Sequence, residues 1–204
     1  MEVEVKLRLR SQDDHAKACK YFCSRKQDAV GQEARKYFQE NCFFDGTEKE
    51  LSSKRVVLRV RFYNMNEKCV VTVKGKAVLK NGVGKASEVE EEIDPILGRT
   101  FVENPQLMLE SEVGVLRDTV TKFGVKGLTY LGGFKNVRDV FGWNGLQVEI
   151  DETKYDWGTV YELECETVSF LPSYFSFFSL PPSSFFCRKI FHLISFGCCE
   201  KGNH

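Results

Sequence analysis

The chain has 204 residues, room for one medium domain with its own hydrophobic core. Lys plus Arg and Asp plus Glu number 29 each, so the formal net charge is zero, which argues against a general nucleic-acid binder, normally basic. The eight cysteines (19, 23, 42, 69, 165, 187, 198 and 199) form no CxxC pair or Cys/His zinc spacing, and no charged-apolar-small leader opens the chain, so a cytoplasmic protein with reduced thiols and no signal peptide is expected.

The first predicted element is a strand over about Glu2 to Arg10. Glu2, Glu4 and Lys6 alternate with Val3, Val5 and Leu7, so the charges share one face. Two same-face carboxylates can share a divalent cation, which prefers oxygen ligands. Lys6 lies one step further, where a phosphate could meet it. A helix over 12–24 follows, with Ser11 as N-cap. Tyr37 to Asp45 reads as a strand with Phe38, Cys42, Phe43 and Phe44 apolar. Lys54 to Tyr63 is a strand with Leu58, Val60 and Phe62 against Arg59 and Arg61. Lys68 to Lys76 sets Val71 and Val73 against Thr72, Lys74 and Lys76. Residues 77–86, with Asn81-Gly82 and Gly84, read as a connecting turn.

Ser87 to Asp94 is an acidic strand with Glu88, Glu90 and Glu92 on one face. Two short helical segments are expected between Pro95 and Phe123. Leu128 to Phe141 and Leu146 to Thr153 form a hairpin turning at Asn144-Gly145. Thr159 to Thr167 is the last clear strand, with Glu162, Glu164 and Glu166 opposite Tyr161, Leu163 and Cys165. About eight strands and few helices indicate an all-β or α+β fold, antiparallel.

Single strands carry one sign of charge on one face: Arg59/Arg61 and Lys74/Lys76 against Glu90/Glu92, Glu149/Asp151 and Glu162/Glu164/Glu166. Adjacent like charges repel by about 1 kcal/mol per close pair even in water-like dielectric. One arrangement is a solvated polar face. The other closes the sheet with charges inward, giving a lumen with one basic and one acidic wall. The basic wall would take an oligophosphate and the acidic wall the divalent metals.

Seven segments carry a resemblance, in order: Glu2-Val-Glu4-Val-Lys6, Leu58-Arg-Val-Arg61-Phe62, Val73-Lys74-Gly75-Lys76, Glu88-Val-Glu90-Glu-Glu92, Gly133-Phe-Lys-Asn-Val-Arg138, Val148-Glu149-Ile-Asp151-Glu152, and Tyr161-Glu162-Leu-Glu164-Cys-Glu166. Over residues 1–167 the chain resembles the CYTH superfamily of triphosphate tunnel metalloenzymes, nearest its plant inorganic-triphosphatase branch. The resemblance implies an α+β fold: an eight-stranded antiparallel β-barrel with a charged lumen and flanking helices. It implies Mg²⁺ or Mn²⁺, two ions, as cofactor. Glu2, Glu4 and Glu164, with Glu162 and Glu166, would be metal ligands. Lys6, Arg59, Arg61, Lys74, Lys76 and Arg138 would clamp phosphates. Glu90, Glu92, Glu149 and Asp151 would hold the second metal or position water, and Lys6, Glu164 and Glu166 would serve catalysis. The expected reaction is hydrolysis of tripolyphosphate to pyrophosphate and orthophosphate by a monomer without nucleic-acid or membrane partners. The alternatives are an adenylate cyclase or thiamine triphosphatase of the same fold, or a phosphate-binding remnant.

After Thr167 the pattern changes. Residues 168–204 hold eight of the seventeen phenylalanines, with many serines and Pro172, Pro181 and Pro182. A membrane span is broken by Ser, Pro and Arg188-Lys189, and a lipidated Cys198-Cys199 lacks a defined motif. Pyrimidine-rich codons serve Phe, Ser, Leu, Pro and Cys, and every Val codon begins GU, so the expectation is a disordered tail translated from an intron retained after Thr167. Sequencing the transcript across that junction tests it; a continuous exon without a GU donor at codon 168 removes the idea. His15, His192 and His204 read as isolated histidines without metal-ligand company, for which surface or tail roles are expected. Gly132-Gly133 reads as a loop or bulge pair, and Trp143 and Trp157 as packing residues.

Overall fold

A computed structural model describes residues 2–24, 34–76, 78–80, 83–143 and 146–167. The proposed tail and the two turns at Asn81-Gly82 and Asn144-Gly145 lie outside the described residues. Among the described residues there are ten strands: β1 Glu2–Leu9, β2 Arg35–Gly46, β3 Val57–Tyr63, β4 Lys68–Lys74, β5 Val78–Lys80, β6 Val83–Ala86, β7 Glu88–Ile93, β8 Leu128–Trp143, β9 Leu146–Tyr155 and β10 Gly158–Thr167. Three α-helices accompany them: α1 Gln12–Ser24, α2 Pro95–Glu103 and α3 Gly114–Phe123. Segment 77–86, expected as a turn, carries the short strands β5 and β6. Its alternation is too brief to stand out in the sequence, and pairing with β1 supplies the order.

All pairings are antiparallel, in the order β5-β6-β1-β10-β9-β8-β2-β3-β4-β7. The hydrogen-bonded order is open, yet the chain crosses its seam. β6 pairs with β1, and one residue later, past Ser87, β7 pairs with β4. The Gly75 N–H donates to the Ser87 carbonyl at 2.7 Å on that seam. Taking β6 and β7 as one bent strand gives eight staves, with β5 as an extra flap.

The alternation expected from the sequence is inverted relative to an ordinary surface sheet. Leu58, Val60 and Phe62 of β3 and Cys69 and Val71 of β4 are buried on the outer face, against Phe101 of α2, Met108, and Val115 and Leu116 of α3. A second cluster packs Ala18 and Phe22 of α1 on Phe141, Val148, Ile150, Leu163 and Cys165. Burying each such side chain contributes roughly 1.5–3 kcal/mol, so the helices hold the apolar faces outward and leave the charged faces to the lumen.

Local signals set the boundaries. Ser11 Oγ accepts the Asp14 N–H at 3.2 Å at the start of α1. Asp94 accepts from Ile96 and Leu97, with Pro95 in the first turn of α2. Gly132 has φ +105° where the β2/β8 register shifts: Phe43 faces Gly132, Phe44 faces Tyr130, and Leu131 is the extra residue of a bulge. The expectation of a bulge pair at Gly132-Gly133 is met. No described helix is long and apolar enough to cross a membrane.

Candidate active site

The curled sheet encloses a cavity of about 1120 Å³ lined by inward-facing residues of every long strand. Around the circuit, the acidic residues come from β7 (Glu88, Glu90, Glu92), β9 (Glu149, Asp151) and β10 (Glu162, Glu164). The basic ones come from β8 (Arg138), β2 (Arg35), β3 (Arg59, Arg61) and β4 (Lys68, Lys74), with Lys6 of β1 on the acidic side. Since β1 and β10 are neighbours and β6 runs into β7, these form one acidic and one basic half. Ion pairs tie the halves together at both borders.

At the β8/β9 border, Arg138 grips Asp151 with two hydrogen bonds, Nε to Oδ1 at 2.8 Å and a terminal nitrogen to Oδ2 at 2.6 Å. It also pairs with Glu149, and with Glu164 at 3.2 Å. Lys6 pairs with Glu164 from the adjacent strand, as the Lys6–Glu164 register dictates. Burial raises the Glu164 carboxyl pKa, but Arg138 and Lys6 outweigh it and hold the carboxyl below its usual range. At the β4/β7 border, Arg59 lies 3.5 Å from Glu88 and 3.6 Å from Glu90, and Lys74 lies 3.3 Å from Glu88. Arg59 donates to Thr72, which donates to Glu90 at 2.8 Å. Burial, and next the neighbouring Arg61, push the Arg59 guanidinium down to about 10, and its buried Nε has no hydrogen-bond partner among the described residues.

A buried amide relay joins the halves. Arg61 Nε donates to Asn41 Oδ1 at 2.7 Å, Asn41 Nδ2 to Asn136 Oδ1 at 2.9 Å, and Asn136 Nδ2 to Asp151 Oδ1 and Gln39 Oε1, both at 3.1 Å. A buried polar group without a partner costs about 1–3 kcal/mol, so each link constrains the next.

Of the residues expected from the sequence, Lys6, Arg59, Arg61, Lys74, Arg138, Glu90, Glu92, Glu149, Asp151, Glu162 and Glu164 line the cavity. Lys76 is exposed beyond the end of β4 and is not among the lining residues. Glu2, Glu4 and Glu166 are placed by backbone alone: Glu4 shares the Lys6 face and stands opposite Glu166. The amides Gln39, Asn41 and Asn136, along with Arg35, Tyr37 and Gln147, were not singled out in the sequence. Neutral amides carry no charge pattern, although Asn136 sits inside a quoted motif and the odd positions 35–41 share the inward face of β2.

Trp143 packs on Phe22 at 5.7 Å, as expected of a packing residue. Trp157 does not: it is 73% exposed and stacks at 4.8 Å on Tyr155, which lines the cavity beside Phe134.

The acidic half offers carboxylate oxygens, three of which, from Glu149, Asp151 and Glu164, converge on Arg138. That chemistry suits a hard divalent ion, and the half-buried guanidinium pair at 59/61 suits anionic oxygens.

A charged lumen inside a curled antiparallel sheet defines the class: a tunnel protein whose inward strand faces are ionic. The CYTH domain family model matches residues 1–170, and this chain belongs to that family. It is similar to a solved adenylyl cyclase candidate from Hippeastrum that reveals a dominant triphosphatase activity, at 35% identity, covering 92% of this chain and 94% of that one with a TM-score of 0.73. A solved adenylate cyclase candidate from Bacillus halodurans shares the fold at 16% identity and TM-score 0.67, covering 100% and 94% of the two chains. No curated protein matches.

Proposed function

We propose that the chain is a divalent-metal-dependent hydrolase of triphosphate compounds, with inorganic tripolyphosphate as the substrate. The observation that carries this is the pair Arg59 and Arg61, side by side on the basic half of the lumen and facing the carboxylate-rich half across about 1120 Å³. The triphosphatase activity of the 35% identical Hippeastrum protein supports it.

In this reading Lys6, Arg59, Arg61, Lys74 and Arg138 hold the phosphate oxygens, and Lys76 takes part only if β4 extends. Glu2, Glu4, Glu162, Glu164 and Glu166 would hold one Mg²⁺ or Mn²⁺. Glu149 and Asp151, with Glu90 and Glu92 across the seam, would hold a second or position water. A divalent cation bound there supplies charge neutralisation and an acidified water. A water oxygen bonds to the terminal phosphorus as the bridging P–O bond breaks, pyrophosphate leaves, and Glu164 or Glu166 takes the water's proton. Little covalent work falls to the protein, so positioning and electrostatics dominate. The catalytic unit is residues 1–167, acting as a monomer, and reduced cysteines suit the cytoplasm.

A second reading is favoured by the aromatic row Phe134, Tyr155 and Trp157 at the cavity: an organic triphosphate whose ring stacks there. Purified protein with Mg²⁺ is given tripolyphosphate, ATP and thiamine triphosphate in parallel, with products identified. Orthophosphate and pyrophosphate from tripolyphosphate support the first reading, and preferred cleavage of thiamine triphosphate the second. Cyclic AMP with pyrophosphate from ATP makes it a cyclase. Tight binding without turnover makes it a remnant. Glu4→Gln and Glu164→Gln should each reduce turnover by about a hundredfold or more, and full activity in both removes the metal assignment.

A further inference from the structure

On the outer wall, away from the cavity, α1 and β8 bring three metal-ligating side chains together. His15 and Cys19 are four residues apart on α1 and therefore share a face. Asp139 follows the lumen residue Arg138 on β8 and, by strand alternation, points outward. Cys19 Sγ lies 3.9 Å from His15 Nδ1 and 3.9 Å from Asp139 Oδ2. One donor atom from each of the three lies within 4.8 Å of the others, and all three residues are half-buried.

We propose that His15, Cys19 and Asp139 bind one zinc-like divalent cation that fastens α1 to β8, with water as the fourth ligand. A four-coordinate zinc has Zn–S of about 2.3 Å and Zn–N or Zn–O of about 2.0–2.2 Å, which sets its ligand atoms about 3.3–3.6 Å apart. The two sulphur-centred distances need close by only a few tenths of an ångström. Sulphur with imidazole selects zinc over magnesium, whereas the carboxylates of the lumen's acidic half prefer the hard ions, so the two sites sort metals by softness.

The surroundings suit ligation. The His15 ring packs at 5.2 Å on Tyr161, which fixes its plane. Burial lowers the His15 pKa, and next Asp139 and Glu152 oppose this; the neutral ring is the one that binds metal. Burial, followed by Asp139, pushes the Cys19 thiol up to about 12, a cost the cation offsets when it displaces the thiol proton to solvent as the Zn–S bond forms. Lys36 lies 3.2 Å from the same Asp139 oxygen; it is exposed and swings away when the cation binds.

Cobalt(II) tests the site as a coloured substitute for zinc, using the full chain in excess Mg²⁺. The expected result is one equivalent bound with a thiolate-to-cobalt charge-transfer band and the strong visible bands of a four-coordinate site, all bleached by added zinc. Cys19→Ser and Asp139→Asn should each remove the charge-transfer band or weaken binding at least tenfold. Cys23→Ser and the double variant Cys198→Ser/Cys199→Ser should keep it. Zinc should raise the melting temperature of the wild type and leave that of Cys19→Ser unmoved. A wild-type spectrum without the thiolate band, or the same band persisting in Cys19→Ser, overturns the proposal.

Discussion

Three carboxylates converge on Arg138, and that residue shows how the lumen balances its charge. Its guanidinium fork matches the Asp151 carboxylate in two parallel bonds; the terminal nitrogen of that fork is shared with Glu164, and the remaining nitrogen reaches Glu149. Arg138→Ala leaves those buried acids uncompensated and should cost about 3–5 kcal/mol in a urea titration. Millimolar Mg²⁺ should restore part of the loss, because the same oxygens suit a hard cation. No recovery with Mg²⁺ would count against metal binding by this trio. The trio was legible in the sequence, since Glu149/Asp151 and Glu162/Glu164/Glu166 each recur at spacing two. The relay through Asn41 and Asn136 was not, because amides are equally at home in turns and surfaces, and only a partner 95 residues away gives these their meaning.

At the level of elements, two junctions hold the strands in place. Asp45, at the end of β2, accepts the backbone N–H groups of Gly46, Leu51 and Ser52 at 2.7, 3.1 and 3.2 Å and so folds the loop that leads into β3. Burial raises the Asp45 pKa, but a hydrogen bond from the Ser52 hydroxyl together with those backbone bonds outweighs it and holds the group below its ordinary value of 3.8. A carboxyl lowered in the folded state stabilises above its unfolded pKa, so this contribution is complete above about pH 4 and fades as pH falls through the folded value. Asp45→Asn should cost about 1–3 kcal/mol at pH 7. Denaturation midpoints should show the gap to wild type narrowing at pH 3. The second junction is the bulge: a Cβ on Gly133 meets the Asn41 carbonyl on the paired strand. Gly133→Ala should destabilise the protein by about 1–3 kcal/mol and, by displacing Asn41, lower turnover more than a surface substitution does. Helices α1 to α3 and the long strands were readable from periodicity and caps. The strands β5 and β6 were not, because three or four residues hold no period and their order comes from the edge of β1.

For the whole molecule, the two halves of the lumen imply coupling between substrate and stability. Tripolyphosphate with Mg²⁺ at about a hundred times its dissociation constant should add about 2.7 kcal/mol. This should be visible as a raised melting temperature that falls away when chelator removes the metal. Deleting residues 168–204 should leave this shift and the turnover intact if 1–167 is the catalytic unit, and loss of both would assign the tail a part in closing the tunnel. The sequence by itself determined the face chemistry of each strand: a period of two is local, so Arg59 and Arg61 oppose Leu58, Val60 and Phe62 in any fold that makes this segment a strand. It could not say which face turns inward. That was decided by the tertiary structure, where α1, α2 and α3 bury the apolar faces from outside and the chain crosses its own seam at Ser87. The same holds for His15, Cys19 and Asp139. Two are neighbours on a helix and the third is 120 residues from Cys19, so only packing α1 on β8 makes them a group.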